Sequence, residues 1–258
     1  MQRYIRELLF IFLVSFSLNS FGADVITITY GDSYKPFAWG EGAIAKGVQV
    51  DFVEEILTKK MGLKVSHHPC PWKRCQKMVE LGLKDGFFTV PTPARANYTS
   101  KSIVPFYKTF FMMHTSKNNP NLEKLKAIRS IKELESMPDI RHVHMFGSGW
   151  HEKALRGMPT VMTVGDSSLI PNYLVRGRAD VYIEQSELFR YQVKAKGISD
   201  KILTLKEHPI QELGWHIFIG KESKHRTLIP EINKVLMALK ASGELDQIKL
   251  VLFEKYGI

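Results

Sequence analysis

The stretch LKVSHHPCPWKRCQKMVELGLKDGFFTV, residues 63–90, reads as strand, helix, strand. Its last segment is a short apolar run, Phe87 to Val90, entered through Asp85-Gly86 and stopped by Pro91 and Pro93. A run of that length bounded by turn residues is a buried strand, and proline ends it because it lacks an N–H and fixes φ. Upstream, VITITYG (25–31) is a further strand, and GVQVDFVEEILTKKMG (47–62) is a helix with Asp51 as its N-cap and Gly62 as its stop. A β-α-β-α-β order predicts an open, mostly parallel sheet with helices on its faces.

The same alternation recurs further on. RHVHMF, TVMTVG, ADVYIEQ and KILTL read as strands, separated by helical stretches such as SELFRYQVKAKG. WHIFIGKES is a return strand, and two helices with an apolar stripe near period 3.6, PEINKVLMALKASG and ELDQIKLVLFEKYG, end the chain. The fold class expected is α/β, in two lobes with a helical tail.

The N-terminus has the layout of a secretory signal peptide over residues 1–22. Arg3 and Arg6 precede the apolar core Leu8–Leu18, and Ser20 and Gly22 are small residues before a cleavage site. Export, to the periplasm, follows as the expected localisation. The chain has 258 residues and a net charge of +10, with basic residues scattered rather than gathered into an arm. That pattern is a surface field, not a nucleic-acid footprint, and it favours an anionic ligand. Monomeric behaviour is expected.

Cys70 and Cys75 are the only cysteines. In an oxidising compartment they read as a local disulfide; with His67 and His68 beside them, a metal cluster is the other reading. His142 and His144 share one face of a strand, which is more often packing than a site. Neither a metal nor a cofactor is expected.

In open α/β sheets ligands sit beyond the carboxyl ends of strands. Arg95 lies just past such an end, and so does the Gly147-Ser148-Gly149 turn, which opens a helix. A guanidinium fork matches a carboxylate in two parallel hydrogen bonds, and free N–H groups at a helix start bind anions. Arg95 as a surface corner residue and the glycine turn as a mere connection are the alternatives.

Several short patterns in fixed order resemble the bacterial extracellular solute-binding proteins of family 3, the polar-amino-acid receptors of ABC transporters. They are GDSYKPFAW (31–39), GVQVDFVEEI, VELGLKDGFF leading to TPAR (92–95), VPFY, GSGW (147–150), VRGRADVYIE and ASGELDQI with KYG. The resemblance implies a periplasmic-binding-protein clamp of type II. Residues 23–110 with 215–258 would form a discontinuous first lobe, and 111–214 the second. It also implies a small carboxylate-bearing ligand, an amino acid or close relative, captured by lobe closure and delivered to a membrane permease.

By that resemblance Arg95 grips the ligand carboxylate, Thr92 belongs to its motif, and Ser148 and Gly149 share the carboxylate from the second lobe. Thr89 offers backbone donors. Tyr34 packs on the ligand, with Trp39 and Trp72 as neighbouring aromatic candidates. The chain departs from the family at Gln185, where an acid usually meets the ligand's ammonium, while Glu184 stands one residue earlier. A one-residue slip reverses the face of a strand, so either Glu184 takes the role or no carboxylate does. The Asp85–Arg95 segment is also shorter than usual, and Val104 stands where an aspartate is common.

No GxSxG, HExxH, Walker A or complete GxGxxG occurs, so no enzyme is expected. Two other readings stay open: a sensory or accessory module, and a dehydratase-type lyase with Glu184 or His151 as its general acid.

Overall fold

A computed structural model describes residues 24–146, 149–158 and 161–258; the expected signal peptide, residues 1–22, and Ser148 lie outside them. The chain enters through β1 (Ile26–Gly31) and a small antiparallel sheet of β2 (Ser33–Tyr34), β3 (Ala38–Glu41) and β4 (Ile44–Lys46). Helix α1 starts at Val48, keeps α-type bonding to Val53 and widens to π-type bonding over Glu54–Lys60. Then come β5 (Val65–Cys70), α2 (Trp72–Glu80) and β6 (Gly86–Thr89). β1 pairs in parallel with both β5 and β6, the arrangement the alternation predicts.

The start of α1 differs from the sequence reading. Gly47, at φ 125°, turns the chain so that the Val48 and Gln49 N–H groups donate to the Pro36 and Phe37 carbonyls. Any Cβ at Gly47 would meet the Phe37 oxygen at 2.4 Å. The helix therefore begins before Asp51, whose carboxylate instead accepts from Lys255 Nζ at 2.7 Å and Tyr256 Oη at 2.8 Å. A residue that looks like a cap is a tether for the C-terminal helix.

Beyond β6, α3 (Pro93–Tyr98) and β7 (Thr99–Lys101) lead into the long strand β8 (Tyr107–Ser116). The middle of the chain holds α4 (Leu122–Ala127), α5 (Ile131–Glu135), β9 (His142–Met145), α6 (Gly149–Ala154), β10 (Val161–Val164) and α7 (Ile170–Val175). After these come β11 (Tyr182–Gln185), α8 (Ser186–Ala195), β12 (Ile202–Leu205) and the long return strand β13 (Gln211–Gly220). Helices α9 (Ile229–Ala241) and α10 (Glu244–Lys255) close the fold.

β8 and β13 are the two crossing strands. Gln211 to Trp215 pair antiparallel with Phe111 to Tyr107, and His216 to Ile219 continue antiparallel to β6. The sheet runs β11-β8-β13-β6-β1-β5. Side chains change core along these strands. Tyr107 and Trp215 join Ile28, Phe52, Ile217, Leu236 and Phe253 in one core, while Phe111 and Leu213 pack with Met113, Leu125, Val181 and Ile183 in another. A third cluster of Val143, Ile170, Tyr182 and Phe189 backs the second. Each fully buried large apolar side chain contributes roughly 1.5–3 kcal/mol, so both cores are substantial.

Candidate functional site

Three strand ends meet at one cavity of about 320 Å³. Gly31 ends β1, Thr89 ends β6, and Trp72 opens the helix that follows β5; all three line the cavity, with Ser33, Tyr34, Ala38, Gln49, Phe88 and Trp215. A larger space of about 470 Å³ lies around β12 and α8, away from these ends. Convergence of strand ends, rather than volume, singles out the first.

Trp72 is held there by its local sequence. Pro71 caps α2, and the Cys70–Cys75 disulfide, with Cα atoms 5.6 Å apart, ties the turn on both sides of the indole. The cysteines are thus partners of each other rather than of a metal. The indole packs edge-on to Phe87 at 5.5 Å.

Arg95 lies over this indole, with its guanidinium carbon 5.2 Å from the ring centroid. Pro93 sits in the first turn of α3, and the Thr92 hydroxyl accepts from the Arg95 N–H at 3.3 Å, so Thr92 is the N-cap that aims the helix. Arg95 Nε donates to Gln76 Oε1 at 3.1 Å and Nη1 to the Val90 carbonyl at 2.7 Å. Both are neutral acceptors, and among the described residues no carboxylate pairs with it. Partial burial lowers its pKa, the mark of a desolvated cation without a counter-charge.

Tyr34 stacks on Phe37 at 5.4 Å and leans on Trp215 at 6.2 Å. Its hydroxyl accepts a hydrogen bond from Gln185 Nε2, which reaches across from the end of β11. Burial, and then the charge of Glu184, push the Tyr34 pKa well up, so the phenol keeps its proton. Trp39 is placed elsewhere. It stands edge-on to Tyr256 at 6.0 Å, with Nε1 donating to Glu41 at 3.0 Å and Lys35 over its ring, and it does not line the cavity.

Glu184 and Gln185 occupy opposite faces of β11. Glu184 Oε2 accepts from Tyr182 Oη and Oε1 from the Gln185 N–H, both at 2.8 Å. Burial raises its pKa to about 7. Tyr182, His151 and His144 form a parallel stack with successive centroids 5.7 Å apart. His151, packed edge-on by Trp150 and bonded to the Ile183 carbonyl, is buried in the second core. Gly149 opens α6, and Ser148 is outside the described residues.

Sequence reasoning missed Ser33, Gln49 and Trp215. Trp215 carried a usable signal, since period-2 reading of WHIFIG puts it on one face with Ile217 and Ile219. Gln49 carried none, because its approach depends on how α1 is docked.

No curated protein sequence matches the chain. Among solved structures it resembles an ancestral cationic amino-acid solute-binding protein, at 21% identity over 90% of this chain and 95% of that one, with a TM-score of 0.66. The second substrate-binding domain of Lactococcus lactis GlnP, in its open conformation, is 22% identical over 90% and 95%, with a TM-score of 0.62. A histidine kinase sensor domain with similarity to periplasmic binding proteins is 13% identical over 88% and 95%, at 0.65. These likenesses show the type II periplasmic-binding-protein fold. Among the described residues no helix is long and apolar enough to cross a membrane, and the family is typically extracellular or periplasmic. Residues 26–255 match the family model of bacterial extracellular solute-binding proteins, family 3, and the chain belongs to that family.

Proposed function

We propose that the protein captures a small carboxylate-bearing ligand, an amino acid or a close relative, and hands it to the permease of an ABC transporter in the periplasm. Capture occurs by closure of two lobes, residues 23–110 with 215–258 against 111–214. The hinge is the paired stretch of β8 and β13, where the side chains change core. The observation that carries the reading is Arg95, a cation without a carboxylate partner among the described residues, stacked on Trp72, which itself lines the cavity at the strand ends. Among the described residues Arg95 Nη2 donates to no partner, which leaves its N–H groups for a ligand.

Lyase chemistry is disfavoured because both general-acid candidates are engaged within the fold. Glu184 has both oxygens engaged, and His151 is buried behind Trp150 and Tyr182. A role as a sensory module would differ in partner rather than in site, and permease and ATPase genes beside this one distinguish transport from it.

The test is a thermal-shift screen of amino acids, their amides and small carboxylates, followed by calorimetry. A ligand at 100 times its dissociation constant adds about 2.7 kcal/mol of stability. Arg95→Ala should cost about 2–5 kcal/mol of binding, roughly 30- to several-thousand-fold, with an unchanged melting curve. Arg95→Lys recovers little, since an ammonium lacks the fork. Binding within threefold of wild type in a folded Arg95→Ala variant would falsify the reading.

A further inference from the structure

A chain of hydrogen bonds runs from the hinge to the cavity with a defined direction. It begins at Trp215 Nε1, which can only donate, and which donates to Thr109 Oγ1 at 2.9 Å. Thr109 passes its single hydroxyl hydrogen to Gln185 Oε1 at 3.0 Å. With its oxygen used in this way, the Gln185 amide presents Nε2 outward and donates to the Tyr34 hydroxyl oxygen. Reversing the amide would leave the Thr109 hydrogen without an acceptor among the described residues. Gln185 is 4% exposed, so a reversed amide with unpaired groups there would be costly. The chain ends on the Tyr34 hydroxyl, whose own hydrogen is taken by no acceptor among the described residues, and Tyr34 lines the cavity.

That wall therefore offers a donor, and it asks for an acceptor on the ligand. The other polar side chains of the wall are the hydroxyls of Ser33 and Thr89 and the amide of Gln49; no carboxylate lines the cavity. Two acidic residues come near without entering. Glu184 faces away from Gln185 and is bonded to Tyr182 Oη and a backbone N–H. Glu187 is buried and accepts from the Ser186 hydroxyl at 3.2 Å. An α-ammonium entering this cavity would shed water and meet only the neutral acceptor oxygens of Ser33, Thr89 and Gln49, with no carboxylate lining the wall to balance its charge, whereas a carbonyl or hydroxyl oxygen would accept from the Tyr34 O–H.

Resting on the carboxylate-capture reading, we infer that the preferred ligand carries an oxygen in place of the α-ammonium, as a 2-oxo or 2-hydroxy acid, and that Gln185, acting through Tyr34, sets this preference. Tyr34 supplies the contact and Gln185 is its positioning residue.

Matched pairs test it directly: pyruvate with alanine, 4-methyl-2-oxopentanoate with leucine, phenylpyruvate with phenylalanine and 2-oxoglutarate with glutamate. Each is measured by melting curve and then by calorimetry on the full exported protein. The oxo member of at least one pair should bind at least about tenfold more tightly than its amino partner, the weight of one hydrogen bond made or left unmade. Tyr34→Phe should reduce that affinity about tenfold, and Gln185→Glu should move the preference towards the amino partner by a similar factor. If a variant fails to fold, the wild-type panel decides alone. An amino acid that wins its pair and depends on Arg95 overturns this inference and leaves carboxylate capture standing. An unchanged preference in folded Gln185→Glu also overturns it. If no carboxylate of either kind binds, both readings fall.

Discussion

Around β1 and the second half of β13 the core is a stack of aromatic rings, with Phe37, Phe88 and Tyr107 each 5.7–6.4 Å from Trp215. Around β8, β9 and β11 the other core buries His114, His142, His144 and His151 among its aliphatic and aromatic side chains. The aromatic stack stays uncharged at any ordinary pH, and its edge forms the cavity wall through Phe88 and Trp215. Three of these rings are kept neutral by the exclusion of water. Burial lowers the pKa of His114 to about 3 and those of His142 and His151 to about 4. The two halves therefore differ in what mainly breaks them: loss of volume in the first, where His216 is the one buried imidazole among the described residues with a pKa lowered to about 4, and protons in the second.

Acid should be the largest test of that contrast. These histidine pKa values are depressed below 6.5, so their stabilisation is present above that pH and is lost as pH falls from about 6.5 towards 4. Glu184 works in the opposite sense. Its raised pKa makes stability decline as pH rises from about 4.5 to 7. At roughly 1.4 kcal/mol per pK unit, these three imidazoles, with His216 adding in the same sense, outweigh one carboxyl, so net stability should fall by several kcal/mol between pH 7 and 4. Hydrogen exchange at pH 5 should show opening first in residues 111–213, and a non-titrating His114→Gln variant should flatten the slope. A level profile across that range would mean the imidazoles are not held neutral.

Next in size is Phe52→Ala, which opens a hole in the aromatic core where Phe52 is fully buried and stacked on Tyr107 at 4.8 Å. It should cost about 3–5 kcal/mol by denaturant unfolding, with little dependence on pH. A pH-dependent cost would erase the distinction between the two cores.

Replacing Cys70 and Cys75 by alanine should cost about 2 kcal/mol, as a short loop allows. Because the bridge ties the turn that carries Trp72, ligand affinity should fall as well, which calorimetry on the double variant would show. The smallest expected effect is Thr92→Ala, about 1 kcal/mol from the lost cap of α3. Affinity should drop modestly with it, since the cap aims Arg95; unchanged affinity would separate the cap from the site.

Local sequence settled much of this. The alternation of strands and helices, the stop at Pro91, the Cys70–Cys75 pairing and the position of Arg95 past a strand end all depend on neighbours within a few residues. Chain stiffness, side-chain period and short-loop closure act at that range, so they are readable from a string of letters. Strand period puts Trp215 on a buried face, but that Trp215 and not Trp39 meets the cavity was not readable. It depends on β3 turning Trp39 towards Tyr256 and on β13 bringing Trp215 beside Tyr34, contacts between segments far apart in the chain. The same holds for Asp51, a tether to Lys255 and Tyr256 rather than a cap, and for Gln185, whose amide takes its direction from Thr109 and Trp215. A hydrogen bond needs its partner within about 3 Å at the right angle. Only the packed sheet, in which β8 and β13 lie side by side, decides which partners those are.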